Sequence, residues 1–133
     1  MKIYNLTEFI GGWVAGDFEP TIIKTKDFEV SVKHYKKGEY QERHVHNKAE
    51  ELSIIVQGSA RMNGKIYSKN DIILMEKGEP TDFYPLEDGT ITCVIKTPSV
   101  KGDKFLISDK WSLLPIGETS QERNLLMRIT PII

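Results

Sequence analysis

The chain has 133 residues and a formal net charge of -1, with 28% charged and 39% hydrophobic residues. That length predicts one domain, since a single core is commonest at about 100 to 150 residues. A near-neutral chain has no strong positive potential to attract a phosphate backbone, so we expect no nucleic-acid partner. No apolar run approaches the ~20 residues that span a bilayer, so we expect no membrane partner.

The N-terminal residues, 1 to 27, are expected to form an irregular arm. The opening stretch MKIYNLTEFIGGWV lacks the continuous apolar segment and cleavage site of a secretory signal. Together with a single cysteine, Cys93, this favours a cytoplasmic protein. The segment Thr7 to Ile10 suits a short helical turn that two glycines end, and GGWVAGDFEP is then typical of irregular structure.

Short strands dominate the middle of the chain and predict an all-β domain. The segments are rich in β-branched or aromatic residues and are separated by turn residues: FEVSVKHY, ELSIIVQ, ARM, KIYS, DIILM and TITCVIK. Between ARM and KIYS, Asn63-Gly64 predicts a tight hairpin, because both residues tolerate the positive φ of a type I′ turn. We expect a barrel core over about residues 28 to 96. A C-terminal arm, 97 to 133, contains one helix-compatible stretch, Ser120 to Met127.

Alternation within ELSIIVQ predicts a barrel wall. Leu52, Ile54 and Val56 share one face of a strand, while the opposite face, which includes Glu51, mixes polar and apolar residues. A cavity lined by the mixed face would explain both, provided that other chain covers the apolar outer face. Residues 1 to 25 are one possible cover, and a second subunit, giving a homodimer, is the other.

Two histidines precede that strand. On a strand, His44 and His46 point to the same side with Cα atoms roughly 6.5 to 7 Å apart, so their imidazoles can converge on one atom. Glu51 supplies a carboxylate from the next strand if the chain bends at Asn47-Lys48-Ala49, and Glu50 is the alternative carboxylate. Such a set suits metal ligation. The competing interpretation is a pair of surface histidines beside solvated glutamates.

The flanking glycines extend this pattern to a known motif. Gly38, five residues, His44-Val45-His46, four residues, Glu51, six residues and Gly58 resemble the first motif of the cupin family. The resemblance implies a cupin-type double-stranded β-helix, a jelly-roll barrel. It also implies that His44, His46 and Glu51 bind a divalent metal ion such as Fe, Zn, Ni or Mn.

The second cupin motif matches NDIILMEKGEPTDFYP less completely. The position at which the family usually has a fourth ligand, a histidine, falls on Thr81, and a neutral hydroxyl is a poor metal ligand. Asp82 would replace the histidine if the turn shifts by one residue. Tyr84 shares a strand face with Asp82, so these two are the candidates for moving a proton at the site.

Other polar and aromatic residues have weaker assignments. His34 is expected in the core, and the opposite face of its strand at the solvated surface: Glu29, Lys33 and Tyr35. Arg61 and Lys96 would contact a phosphate or carboxylate of a ligand if their strands face the cavity, and are otherwise surface charges. Trp13 and Trp111 favour packing over stacking on a sugar.

Three functions are compatible with this site. The first is a metal-binding cupin isomerase, epimerase or lyase acting on a carbohydrate or small polar metabolite, in which the metal polarises an oxygen. GGWVAGDFEP and KTPSVKGDKF resemble segments of small cupins that accompany surface-polysaccharide biosynthesis proteins, which favours a carbohydrate. Without metal, the histidines would act as acid and base. The alternatives are a non-catalytic ligand-binding module and an Fe(II)-dependent oxygenase.

Overall fold

The computed structural model describes residues 1–107 and, for their backbone alone, Arg128 and Ile129. Twelve strands are assigned in this part of the chain: β1 Trp13–Gly16, β2 Ile23–Lys24, β3 Glu29–Tyr35, β4 Gln41–His46, β5 Glu50–Gln57, β6 Ser59–Met62, β7 Lys65–Ser68, β8 Ile72–Met75, β9 Thr81–Pro85, β10 Thr90–Thr97, β11 Lys104–Leu106 and β12 Arg128–Ile129. The helix predicted at Ser120 to Met127 and the packing of Trp111 lie outside the described residues.

The strands form two six-stranded sheets in the orders β2-β1-β3-β10-β5-β8 and β12-β11-β4-β9-β6-β7. The pairs within them are antiparallel except β1 with β2. One core cluster draws on both sheets: Tyr35, Ile55, Ala60, Met62, Met75 and Phe83. The all-β jelly roll expected from the sequence is confirmed. None of the described helices is long and apolar enough to cross a membrane.

Two turns explain why particular glycines occur. Asn63 and Gly64 have φ values of 49° and 79°, and they join β6 to β7 as the predicted hairpin. Gly58, between β5 and β6, has φ 82°, and a Cβ there would lie 2.9 Å from the Cα of Thr90. A side chain at residue 58 would therefore collide with β10, which accounts for the last glycine of the motif.

The two arms differ from the irregular structure that the sequence led us to expect. In the N-terminal arm, a 3₁₀ turn at Leu6–Glu8 is capped by the Asn5 side chain, which accepts the Thr7 N–H at 3.0 Å. The next segment forms β1, which pairs with β3 and buries Trp13. In the C-terminal arm, β11 pairs with β4. Strands of three or four residues are too short to show alternation, and pairing with longer strands establishes them.

The orientation of β3 is the reverse of the predicted one. Its inward residues are the polar or aromatic ones: Glu29, Ser31, Lys33 and Tyr35. Val30 and Val32 lie half-buried on the outer face, where His34 is exposed. Both faces of this strand carry apolar groups, so alternation separates the faces without indicating which one points inward. The cavity proves to be the more polar side.

The outer face of the first sheet is apolar across several strands. Leu52 pairs with Leu74 of β8, and Ile54 pairs with Ile72. Ile72 and Leu74 are 63% and 51% exposed, and Val56 is also exposed. Strands β1 and β2 lie at the opposite edge of this sheet from β8. The N-terminal strands therefore do not cover this patch, and the homodimer expected from the sequence stays a prediction.

Candidate metal centre

The three residues predicted to bind metal meet inside the barrel. His44 and His46 point inward from β4 and are 2% and 6% exposed, and Glu51 points inward from β5. One ligand atom from each of the three lies within 4.8 Å of those of the other two. Glu50 is adjacent on β5, so alternation directs it to the other face. The structure thus selects Glu51 as the carboxylate of this set.

The bend between the histidines and Glu51 is held by Asp103, which the sequence did not single out. Its carboxylate accepts the backbone N–H groups of Asn47, Lys48 and Ala49 at 3.1, 3.0 and 2.9 Å. Asp103 itself is 6% exposed. A buried carboxylate with several backbone donors is a strong constraint, because these hydrogen bonds are charge-assisted. The predicted bend is confirmed, and Asp103 is what fixes it.

Both imidazoles are neutral and present the form that binds metal. His44 Nδ1 lies 2.7 Å from the Glu42 carbonyl oxygen, which can only accept, so Nδ1 carries the proton and Nε2 keeps its lone pair. Burial lowers the pKa of His44 to about 3, with Lys104 adding to the effect. Burial, followed by the charge of Lys96, likewise lowers the pKa of His46 to about 3.

One buried nitrogen supports a cation at this place. His46 Nε2 has no hydrogen-bond partner among the described residues and lies 4.0 Å from Glu51 Oε1. A buried polar atom without a partner costs free energy, and native proteins rarely leave one unexplained. Two neutral imidazoles and a carboxylate are the donor set that several divalent metals accept. These residues therefore fit a divalent ion.

Thr81 occupies the place next to His44 at which the resemblance leads one to expect a fourth ligand. It pairs in register with His44 across β4 and β9 and is 4% exposed. Its hydroxyl donates to the backbone oxygen of Asp82 at 3.0 Å. A neutral hydroxyl that already makes a hydrogen bond is a much weaker metal ligand than an imidazole. Within residues 1–107 this site therefore offers three protein ligands.

Asp82 and Tyr84 lie outside the cavity, which corrects the expectation that they are the nearest proton carriers. Alternate residues of β9 point to opposite faces, and the neighbours of Asp82 face inward. The Asp82 carboxylate accepts the Asn63 N–H at 2.8 Å. The Tyr84 ring stacks on Tyr40 at 5.6 Å, with the guanidinium of Arg61 5.2 Å from the Tyr84 centroid. Arg61 is thus a surface charge.

Three lysines reach the same cavity from three strands: Lys33 from β3, Lys96 from β10 and Lys104 from β11. Lys96 and Lys104 are 5% and 6% exposed, and Lys33 is half-buried. Lys96 Nζ lies 4.0 Å from Glu51 Oε1. The amines of Lys33 and Lys96 lie 5.0 and 4.9 Å from the centroid of the Trp13 ring. The lysines and the candidate metal ligands therefore share one chamber.

Polar groups near Lys104 complete the wall. Lys104 Nζ donates to Gln41 Oε1 at 3.2 Å, and Gln41 Nε2 donates to the Tyr35 hydroxyl at 2.7 Å. Burial, reinforced by Lys33, lowers the pKa of Lys104 to about 7. Burial, reinforced by Lys96, lowers the pKa of Lys33 to about 8. Burial raises the pKa of Tyr35 well above its usual range.

The inner cavity adjoins a wider groove at the seam between β3 and β4. The cavity has a volume of about 20 Å³, which is room for about one water molecule. The groove has a volume of about 540 Å³ and is bordered by the N-terminal 3₁₀ turn. Lys33, Tyr35 and Gln41 line both spaces. The groove alone has the size of an ordinary small-molecule site, and at Lys33 it meets the cavity that contains His44 and Glu51.

Sequence comparisons assign no relative: no protein-family model matches the chain, and no curated protein does. Solved structures do match. The DMSP lyase DddQ from Ruegeria pomeroyi is 20% identical, with a TM-score of 0.59 over 80% of this chain and 52% of that one. An uncharacterized protein with a double-stranded β-helix domain from Klebsiella pneumoniae is 19% identical, with a TM-score of 0.56 over 74% of this chain and 85% of that one.

A third structure agrees with these two. The oxalate decarboxylase of Bacillus subtilis is 20% identical to the chain, with a TM-score of 0.53 over 76% of this chain and 31% of that one. At identities of 19–20%, these similarities show a shared fold and do not assign the activity of any of these proteins to this chain. The two-sheet topology agrees with that architecture. In fold, therefore, the chain is a double-stranded β-helix like these structures.

Proposed function

We propose that the protein is a divalent-metal cupin enzyme of the isomerase, epimerase or lyase type that acts on a small polar metabolite, with a carbohydrate as the proposed class. The observation that carries this proposal is the convergence of His44, His46 and Glu51 within 4.8 Å, including a buried imidazole nitrogen that has no hydrogen-bond partner in the described part of the chain. Proteins named as a lyase and a decarboxylase share the architecture. We place the reaction in the cytoplasm, with no nucleic-acid or membrane partner.

Each group in the chamber has a definite task in this proposal. His44, His46 and Glu51 hold the ion, which supplies Lewis-acid polarisation of a carbonyl or enediolate oxygen. Apart from the candidate metal ligands, the titratable side chains among the described residues that line the cavity are Tyr35 and the three lysines. They replace Asp82 and Tyr84 as the candidates for moving a proton. Lys104, with a pKa of about 7, changes protonation most readily at neutral pH.

Metal content tests this proposal directly. Protein purified without an affinity tag is expected to carry near-stoichiometric metal by mass spectrometry, and the double variant His44→Ala/His46→Ala is expected to lose it. His34→Ala is the matched control, because His34 is the remaining histidine and is exposed on the outer face. Absence of metal from the wild type after incubation with Fe(II), Zn, Ni and Mn would overturn the proposal.

A non-catalytic ligand-binding module is the second candidate, and Thr81 favours it. A chain that offers three protein ligands holds a metal less firmly than one that offers four, although three-ligand oxygenase sites do function. Turnover of a panel of keto sugars and nucleotide sugars by the metal-loaded protein separates an enzyme from a module. Oxygen uptake with Fe(II) and the same panel tests the oxygenase alternative.

We also infer a homodimer that buries the outer face around Ile72 and Leu74. Leu74→Lys is expected to change the sedimentation mass from two chains to one, because a buried ammonium group in an apolar interface is costly. Ile66→Lys is the matched control: Ile66 is 69% exposed but lies on β7, in the other sheet. A wild-type mass of one chain at micromolar concentration would contradict the dimer.

A further inference from the structure

The chamber holds more positive charge than its own side chains balance. Lys33, Lys96 and Lys104 line it, and among the described lining residues Glu51 is the one carboxylate. The nearest approach of a lysine to that carboxylate is 4.0 Å, from Lys96. Lys104 donates to a neutral amide oxygen. Lys33 has no ion pair in the part of the chain that the structure describes, and faces the Trp13 ring.

Other buried carboxylates nearby are already engaged. Asp103 accepts three backbone N–H groups at the bend after β4. Glu29 is buried and pairs in register with Lys96 of β10, whose charge it partly balances. Glu51 is the carboxylate that a metal ion would take. Metal binding at Glu51 would then add a divalent cation to a chamber in which Lys33 and Lys104 have no ion pair among the described residues.

Buried charge of one sign is expensive unless a counter-charge shares the site. We propose that the chamber binds an anionic group of the ligand, a carboxylate or a phosphate, and that Lys33, Lys96 and Lys104 hold it. This deepens the proposed function, on which it rests for the claim that the ligand is a substrate. The anion site itself is carried by the lysines and does not require turnover.

The surroundings of the lysines indicate how the ligand lies. The amines of Lys33 and Lys96 are both within 5.0 Å of the Trp13 ring centroid, so both contact the same indole. Lys33 also lines the outer groove together with Tyr35 and Gln41. Because the inner cavity has room for about one water molecule, the anionic group sits where the cavity meets the groove at Lys33, and the uncharged part of the ligand lies in the groove. An anion entering from that side meets Lys33 first.

Anion binding is measured on the metal-free protein through the fluorescence of Trp13. The chain has two tryptophans, so a Trp111→Phe background leaves Trp13 as the single reporter. Inorganic phosphate and malonate are titrated separately at neutral pH, which distinguishes a phosphate site from a carboxylate site. We expect saturable binding of at least one of them. No saturation with either anion would overturn the inference.

Matched variants show whether the lysines are responsible. Lys33→Met and Lys96→Met are each expected to weaken binding by about tenfold, the usual size of one charge-assisted hydrogen bond. Both variants keep the side-chain length and remove a buried charge, so they are expected to fold. Lys24→Met is the control, since Lys24 is exposed and paired with Glu19. Equal affinity in all three variants would overturn the assignment.

Metal analysis of the same variants separates this inference from the proposed function. Lys33→Met is expected to retain metal while it loses anion affinity, because Lys33 is not among the three ligands. A wild type that binds metal but neither anion would remove the anion site and leave the metal proposal standing. A wild type that binds an anion but none of the tested metals would remove the metal proposal and leave the anion site standing.

Discussion

Asp103→Ala is expected to lower the free energy of unfolding by about 3 kcal/mol. The substitution removes the acceptor of three consecutive backbone N–H groups, of which the Ala49 group is fully buried, and a buried donor left unpaired costs about 1–3 kcal/mol. Because the same bend places Glu51 opposite the histidines, metal affinity is expected to fall as well. Urea unfolding of the purified proteins measures the first effect and metal titration the second.

Two comparisons make this result specific. Asp103→Asn keeps the shape and one acceptor oxygen, so its destabilisation is expected to lie between wild type and Asp103→Ala. Asp71→Ala removes a carboxylate that accepts one exposed N–H, from Ser68 at 2.8 Å, and is expected to cost about 1 kcal/mol or less. If Asp103→Ala destabilises the protein no more than Asp71→Ala, the bend does not depend on Asp103.

The metal-free protein is expected to lose stability as the pH falls from 7.5 to 5.5. The pKa of His44 and of His46 is about 3 in the folded state, against 6.5 when exposed in the unfolded chain. Between those values the unfolded state binds more protons, so stability decreases with falling pH by about 1.4 kcal/mol per pH unit for each imidazole. The decrease begins near pH 6.5 and amounts to about 3 kcal/mol at pH 5.5.

The double variant His44→Gln/His46→Gln isolates this effect. Glutamine keeps a polar side chain of similar reach but does not titrate, so its unfolding free energy is expected to change little over the same range. Only His34, which is exposed, remains as a histidine in that variant. A pH dependence as steep in the variant as in the wild type would show that other groups cause it.

The sequence carries strong local signals for the barrel and for its histidines. Strand segments, the Asn63-Gly64 hairpin and the bend before Glu51 depend on neighbouring residues, so alternation and turn chemistry are enough to place them. The same reasoning places His44 and His46 on one side of a strand. The structure confirms that His44 and His46 point inward. The glycine spacing around them and the position of Glu51 both indicate that direction.

Alternation alone was not enough for the lysines. Lysine is usually a surface residue, and β3 carries apolar groups on both faces. The sequence therefore predicts an outward Lys33, whereas in the structure Lys33 lines the cavity. Lys104 belongs to a strand of three residues whose existence depends on pairing with β4. The outward positions of Asp82 and Tyr84 follow from the register of β9, which the sequence of the turn before it does not reveal.

The reach of Asp103 back to the bend has a consequence for how the protein folds. Its hydrogen bond to Asn47 joins residues 56 positions apart, so the first motif cannot adopt its final shape until nearly all of the described barrel has been synthesised. Contacts this distant along the chain form late, because closing such a loop costs entropy before any contact compensates for it. Metal would then bind a barrel that is already assembled, and the ion would not serve as a folding nucleus.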